Sequence, residues 1–310
     1  MNYRRMGKNG LKISEISLGG WLTYGGSVGA DTGVKIIRRA FQLGVNFIDV
    51  ADIYSRGEAE KVVGEAIKGY QRSDLVISSK VFWPMSDNIN DRGLSRKHML
   101  ESVDKSLRRL GTDYLDIYFA HRFDPETEIE EIVRAMEDLI RGGKVLYWGT
   151  SLWSADQIER AVEEAKNWRA YRPAVEQPRY NLLDRNIERE IIPTCVANGM
   201  GLTVWSPLAQ GLLSGKYNES IPPDSRGGKT AWLKDDLNEA NIGKVKKLAE
   251  LARSLGITVS QLALAWILRR DDISCAIIGA TSTDQLEENL KASDVRLDDE
   301  TLEQIEKIIA

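Results

Sequence analysis

Residues 46–67 read NFIDVADIYSRGEAEKVVGEAI. The stretch opens as a short apolar run, stops on the carboxylate of Asp49, reaches Tyr54 five residues later and passes into an amphipathic segment. One reading is a strand that leaves the core and turns into a helix. A sharper one is a strand whose end carries chemistry.

The rest of the chain repeats the pattern. Short apolar or β-branched runs recur as ISEISLGG near 16, NFIDV near 47, LVISSK near 77 and LDIYFAH near 118. They continue as KVLYWGTS near 147, PAVEQ near 175, GLTVWSP near 204 and SCAIIGA near 277. Between them lie segments with helical periodicity, among them GVKIIRRAFQLG, SRKHMLESVDKSLRRLG, EIEEIVRAMEDLIRGG and ADQIERAVEEAKNW, several of them followed by glycine. Strands alternating with helices imply parallel pairing through helical crossovers, and eight such units point to a closed (β/α)8 TIM barrel, not an open sheet. No linker divides the chain, so residues 1–310 are expected to form one domain. YRRMGKNGLKIS, ahead of the first strand, reads as a small hairpin with a Lys-Asn-Gly turn closing the bottom of the barrel. After the seventh strand, Ser206 to about Asn241 is rich in Gly, Pro and Ser and reads as a long loop at the functional mouth.

Composition narrows the class. The 310 residues are 42% hydrophobic and 28% charged, as in a folded globular protein. A net charge of −4 argues against nonspecific nucleic-acid binding. Cys195 and Cys275, the two cysteines, sit in apolar contexts and read as core fillers. With His98 and His121 the only histidines, no metal cluster is expected, and redox chemistry would need an organic cofactor. The first residues show no apolar core of signal-peptide length, and no run of about 18 apolar residues occurs. A cytoplasmic protein without membrane insertion is the expectation.

In a barrel, Asp49, Lys80 and His121 stand at the C-terminal ends of the second, third and fourth strands, with Tyr54 on the following loop. Each alone reads most simply as a solvated polar group. Together they form a set suited to proton donation. A tyrosine, with a pKa of about 10, is a reluctant acid, but a neighbouring ammonium favours its phenolate. Lys80 can supply that ammonium, Asp49 can hold Lys80, and His121 can hydrogen-bond a substrate oxygen.

FIDVADIY, LVISSK and DIYFAHR resemble the motifs of the aldo-keto reductases, and the resemblance covers nearly the whole chain. GLSRKHMLESVDKSLRRL, MEDLIRGGKVLYWGTSLWSADQI and WSPLAQGLLSGKY resemble the branch containing voltage-gated potassium channel beta subunits and their bacterial relatives. The resemblance implies Tyr54 as general acid, Lys80 as its modulator, Asp49 as partner of Lys80 and His121 as the group orienting the carbonyl. It also implies NADPH, with the carboxamide held by Ser151 and Gln177, Trp205 stacked on the nicotinamide, and Asp49 and Trp21 against the cofactor. The pyrophosphate and adenosine would meet Ser206, Pro207, Leu208, Lys216, Arg226, Gly279, Thr281, Gln285, Glu288 and Asn289, with Thr283 as a helix cap. Trp21, Tyr54, Trp83 and His121 would line the substrate pocket. Channel subunits usually have Asn where His121 stands, an arginine in place of Leu152 and a tyrosine in place of Asp224. The implied partners are a small carbonyl substrate and further copies of the chain, as tetramers or larger rings.

Three functions follow for testing. An NADPH-dependent aldehyde and ketone reductase is the first. A cofactor-binding regulatory subunit with slow residual reduction is the alternative, disfavoured by His121. A barrel aldolase using Lys80 as a Schiff-base nucleophile is the third, disfavoured because Asp49 keeps that lysine charged.

Overall fold

The computed structural model describes residues 1–21, 23–222, 225–229, 233 and 236–310, without the side chains of Arg226 and Lys229. Strands β1 (Tyr3–Arg5) and β2 (Lys12–Ser14) pair antiparallel, as the hairpin reading expects. Eight further strands follow: β3 (Ile16–Gly19), β4 (Phe47–Asp49), β5 (Val76–Val81), β6 (Leu115–Ala120), β7 (Val145–Thr150), β8 (Val175–Glu176), β9 (Gly201–Trp205) and β10 (Cys275–Ile278). Each is parallel to its neighbour, and β10 pairs with both β9 and β3, so the sheet closes into the expected (β/α)8 barrel.

Around it lie α1 (Ala30–Gln42), α2 (Glu58–Ile67), α3 (Arg96–Leu110), α4 (Ile129–Arg141), α5 (Ala155–Asn167) and α6 (Ile191–Ala197). The short α7 (Arg226–Lys229) sits within the long β9–α8 connection. α8 (Glu239–Ser254), α9 (Val259–Leu268), α10 (Thr283–Leu290) and α11 (Asp299–Ile309) complete the chain. Local chemistry sets several ends. Ser95 accepts from the His98 amide to start α3, and Gly111, at φ 66°, ends it. Ser154 with Gln157, and Thr258 with Gln261, form reciprocal capping boxes at α5 and α9. At α10 the cap is Ser282, not Thr283. Ser282 has extended backbone angles and accepts from the Gln285 amide, whereas Thr283 is already helical. No single helix among the described residues is long and apolar enough to cross a membrane.

Strand alternation divides the core in two. Phe47, Val76, Ile117, Phe119, Val175, Cys275 and Ile277 pack inside the barrel with Met6 and Ile13 of the hairpin. Ile48, Ile77, Tyr118, Ala120, Leu202 and Ala276 belong to the larger layer beneath the helices. Positions two residues beyond the inner set therefore emerge at the C-terminal mouth: Asp49 beyond Phe47, His121 beyond Phe119, Gln177 beyond Val175 and Gly279 beyond Ile277. Both cysteines are buried free thiols whose pKa burial raises, as core fillers should be.

The hairpin plugs the opposite end through backbone contact. Gly7 has φ 58°, and a Cβ there would lie 2.5 Å from Gly199 O and Gly201 N. Gly10, by contrast, has open space around the same position. Gly7→Ala is therefore expected to lower the unfolding free energy by about 2–4 kcal/mol, combining left-handed strain with overpacking. Gly10→Ala should stay within about 0.5 kcal/mol of the parent. Urea unfolding of both variants checks this, and equal midpoints would refute the plug contact.

Candidate active site

Lys80 is fully buried inside the barrel mouth. Its ammonium donates to Asp49 Oδ2 at 2.6 Å and to the Val50 carbonyl at 2.7 Å. The second Asp49 oxygen accepts from Ser78 Oγ at 2.6 Å and from Gln177 Nε2 at 3.0 Å. Ser151 Oγ in turn donates to the Gln177 carbonyl at 2.9 Å. Residues from β4, β5 and the ends of β7 and β8 are thus joined in one hydrogen-bonded chain. Burial draws the lysine pKa down, and the Asp49 carboxylate opposes that shift.

Tyr54 lies over this pair, with the lysine nitrogen 4.8 Å from its ring centre. The His121 ring stands 5.8 Å away at 75°, and Trp83 is 6.4 Å beyond the histidine. Burial, then the charges of Lys80 and Arg122, hold the imidazole pKa well below its usual value, so His121 is neutral. Its Nδ1 is buried without a hydrogen-bond partner among the described residues. The tyrosine departs from expectation. Burial and the carboxylates of Asp49 and Asp52 push its pKa well above the usual value, and Arg122 acts in the opposite direction. The ammonium does not prevail because Asp49 neutralises it at closer range. The phenol keeps its proton.

The turn that carries Tyr54 is held from outside the barrel. Ser55, Arg56 and Gly57 take φ values of 49°, 52° and 90°. The side chain of Arg109 on α3 lies against Gly57, where a Cβ would meet its Cδ at 2.6 Å. Arg109 pairs with the fully buried Glu60 at 2.5 Å, and Glu60 also accepts from Ser79 Oγ at 2.6 Å. Asp52 accepts from the Ile53 amide at 2.6 Å and from Ser102 Oγ at 2.9 Å. Burial, reinforced by Glu60, pushes its carboxyl up to about 7.

The remaining anticipated residues divide. Trp21 and Trp205 meet edge to face at 5.8 Å on the same mouth, beyond β3 and at the end of β9. Trp21 is 37% and Trp83 38% exposed. Ser206 adopts φ 52° just before Pro207 and Leu208. Gly279 and Thr281 follow β10, where Gln285 accepts from the Thr281 amide and hydroxyl. Asn289 is buried with its amide nitrogen unpartnered among the described residues, and Glu288 is exposed. Lys216 is exposed beside the Tyr217 ring, its ammonium 4.9 Å from the ring centre. Arg226 opens α7, but its side chain and the whole of Asp224 lie outside the described residues.

Sequence reasoning missed Ser78, although strand alternation puts it on the same face as Lys80. It also missed Arg122, next to His121, and Glu176, a buried acid accepting from Thr150 Oγ1 at 2.5 Å. The Glu60–Arg109 pair spans 49 residues and left no local signal.

The model of the aldo/keto reductase family matches residues 15–310. A probable voltage-gated potassium channel subunit beta from Arabidopsis thaliana is 44% identical over 322 residues, covering 100% of this chain and 97% of that protein. A putative voltage-gated potassium channel subunit beta from Schizosaccharomyces pombe is 42% identical, covering 99% and 93%. A probable subunit of the same description from Oryza sativa subsp. japonica is 42% identical, covering 100% and 97%.

The Asp52 carboxyl makes the support of the Tyr54 turn pH-dependent. Its pKa is raised on folding, so between about 4, the unfolded value, and about 7 the folded chain keeps a proton that the unfolded chain releases. Stability from this group is complete at low pH and declines as pH rises through that window. Asp52→Asn should flatten the decline in urea titrations from pH 4 to 7; identical slopes in both proteins would refute the assignment.

Proposed function

The chain belongs to the aldo/keto reductase family, and from that premise we propose that it is an NADPH-dependent reductase of aldehydes and ketones. The observation that carries this reading is the Asp49–Lys80 ion pair buried beneath Tyr54, with His121 across from it. NADPH, when bound, supplies the hydride to the carbonyl carbon. Tyr54 gives its phenolic proton to the carbonyl oxygen, which requires that the proton be present at neutral pH. The upward shift of its pKa ensures that. Lys80 stabilises the phenolate left behind, and Asp49 fixes the ammonium. His121, being neutral, donates a hydrogen bond without competing as an acid.

The chain's residues suit the cofactor. Ser151 and Gln177 present polar groups at the ends of β7 and β8 for a carboxamide, and Trp205 offers a ring at the end of β9. The capped start of α10 suits a phosphate group, and the Asn289 amide, unpartnered among the described residues, offers a polar group in the last turn of the same helix. Lys216 supplies a cation for the 2′-phosphate.

Replacing Tyr54 by Phe should lower kcat by roughly 10²-fold or more while leaving NADPH affinity near the parent value. Aldehyde-dependent loss of NADPH absorbance and direct nucleotide titration measure the two quantities, and retained turnover would remove Tyr54 from the acid role. Lys216→Ala should weaken NADPH binding by roughly 10- to 150-fold and NADH binding far less. Equal weakening of both nucleotides would place the 2′-phosphate elsewhere.

A further inference from the structure

Arg122 immediately follows His121 and is half-buried at the same mouth. Its Nη1 donates to the carbonyl of His121, and its guanidinium lies 5.6 Å from the centre of the Trp83 ring. Among the described residues it forms no ion pair, whereas Lys80, the neighbouring cation, is fully engaged by Asp49 and Val50. A guanidinium has five N–H donors in a rigid plane, and one donor atom here is committed to a protein acceptor.

Such a group is costly to leave without a counter-charge. The Trp83 ring offsets part of that cost, and so does the field of Glu176. Glu176, however, sits on the outward face of β8, bonded to Thr150, and burial pushes its carboxyl up to about 7. It is an incomplete partner at neutral pH. Arg122 is close enough to Tyr54, Lys80 and His121 to influence all three electrostatically, so its field reaches the place where a carbonyl would be protonated.

We infer that Arg122 recognises an oxyanion on the substrate, so that the preferred carbonyl compounds carry a carboxylate or phosphate on the Trp83 side of the reacting group. The inference deepens the reductase reading and rests on it for the word substrate. Arginine suits the task because its planar fork can bind two oxygens at once. The Trp83 and His121 rings meet edge to face at 6.4 Å, so the guanidinium, the indole and the imidazole stand together at one side of the mouth.

The test uses binding, so it does not depend on turnover. Benzoate, phenyl phosphate and the neutral benzamide are titrated calorimetrically into the purified protein with and without NADPH. With NADPH present, at least one anion should bind about tenfold or more tightly than benzamide, the scale of a charge-assisted hydrogen bond, and the preference should shrink as salt rises. Which anion wins separates a carboxylate from a phosphate substrate. Arg122→Met should abolish the preference and Arg122→Lys should reduce it, since a point charge lacks the fork. If Arg122→Met fails to fold, Arg122→Lys decides alone: an undiminished preference overturns the inference. It also falls if the parent protein shows no anion preference or if Arg122→Met keeps one. An intact, Arg122-dependent preference in a protein that reduces no aldehyde would sustain the anion site and remove the reductase reading.

Discussion

The mouth of this barrel is organised by one buried ion pair, Lys80 with Asp49. Taking both charges out of water costs several kcal/mol per ion, and attraction recovers that only when the remaining donors and acceptors are also satisfied. Here they are. The ammonium has a second acceptor in the Val50 carbonyl, and the other carboxylate oxygen takes two donors, Ser78 and Gln177. Because Gln177 arrives on β8, the pair is complete only when the sheet has wrapped around to bring that strand across from β4. The charge network is therefore complete only in the closed barrel.

A second constraint acts from the helix layer. Tyr54 sits at the start of a turn in which Ser55 and Arg56 adopt left-handed angles, each costing of order 1–3 kcal/mol. Such a turn persists only where its surroundings fix it. Glu60, Arg109, Ser79, Asp52 and Ser102 do so from behind, and Arg109 occupies the space that a side chain at position 57 would need. The group read as the acid is thus aimed by residues that face away from the pocket. Two further buried acids, Asp52 in the connection after β4 and Glu176 on β8, tend toward their neutral forms, whereas Asp49 pairs with Lys80.

The charge balance also explains why the tyrosine shift ran opposite to expectation. A lysine near a phenol lowers its pKa only to the extent that the ammonium's field is free. Asp49, at 2.6 Å, takes up most of that field, and desolvation then dominates. A phenol that keeps its proton, with the Lys80 nitrogen 4.8 Å from its ring centre, is the result.

The sequence by itself determined the barrel and the residues at its mouth. The rhythm of eight short apolar runs and intervening amphipathic segments is local, and strand alternation carries Asp49, Lys80 and His121 to one face without reference to anything distant. Resemblance of FIDVADIY, LVISSK and DIYFAHR to one family supplied the proposed roles. The hairpin, too, was legible from its turn residues. Only the tertiary structure decided what these groups experience. Gln177 reaches Asp49 across 128 residues, Trp21 meets Trp205, and Arg109 braces Gly57, none of which periodicity encodes. Even the α10 cap depended on backbone angles that give Ser282, not Thr283, the extended conformation. Desolvation and ion pairing arise from which side chains crowd together in space. The directions of the Tyr54 and His121 shifts, and the lack of an ion pair to Arg122 among the described residues, therefore emerged only with the folded chain.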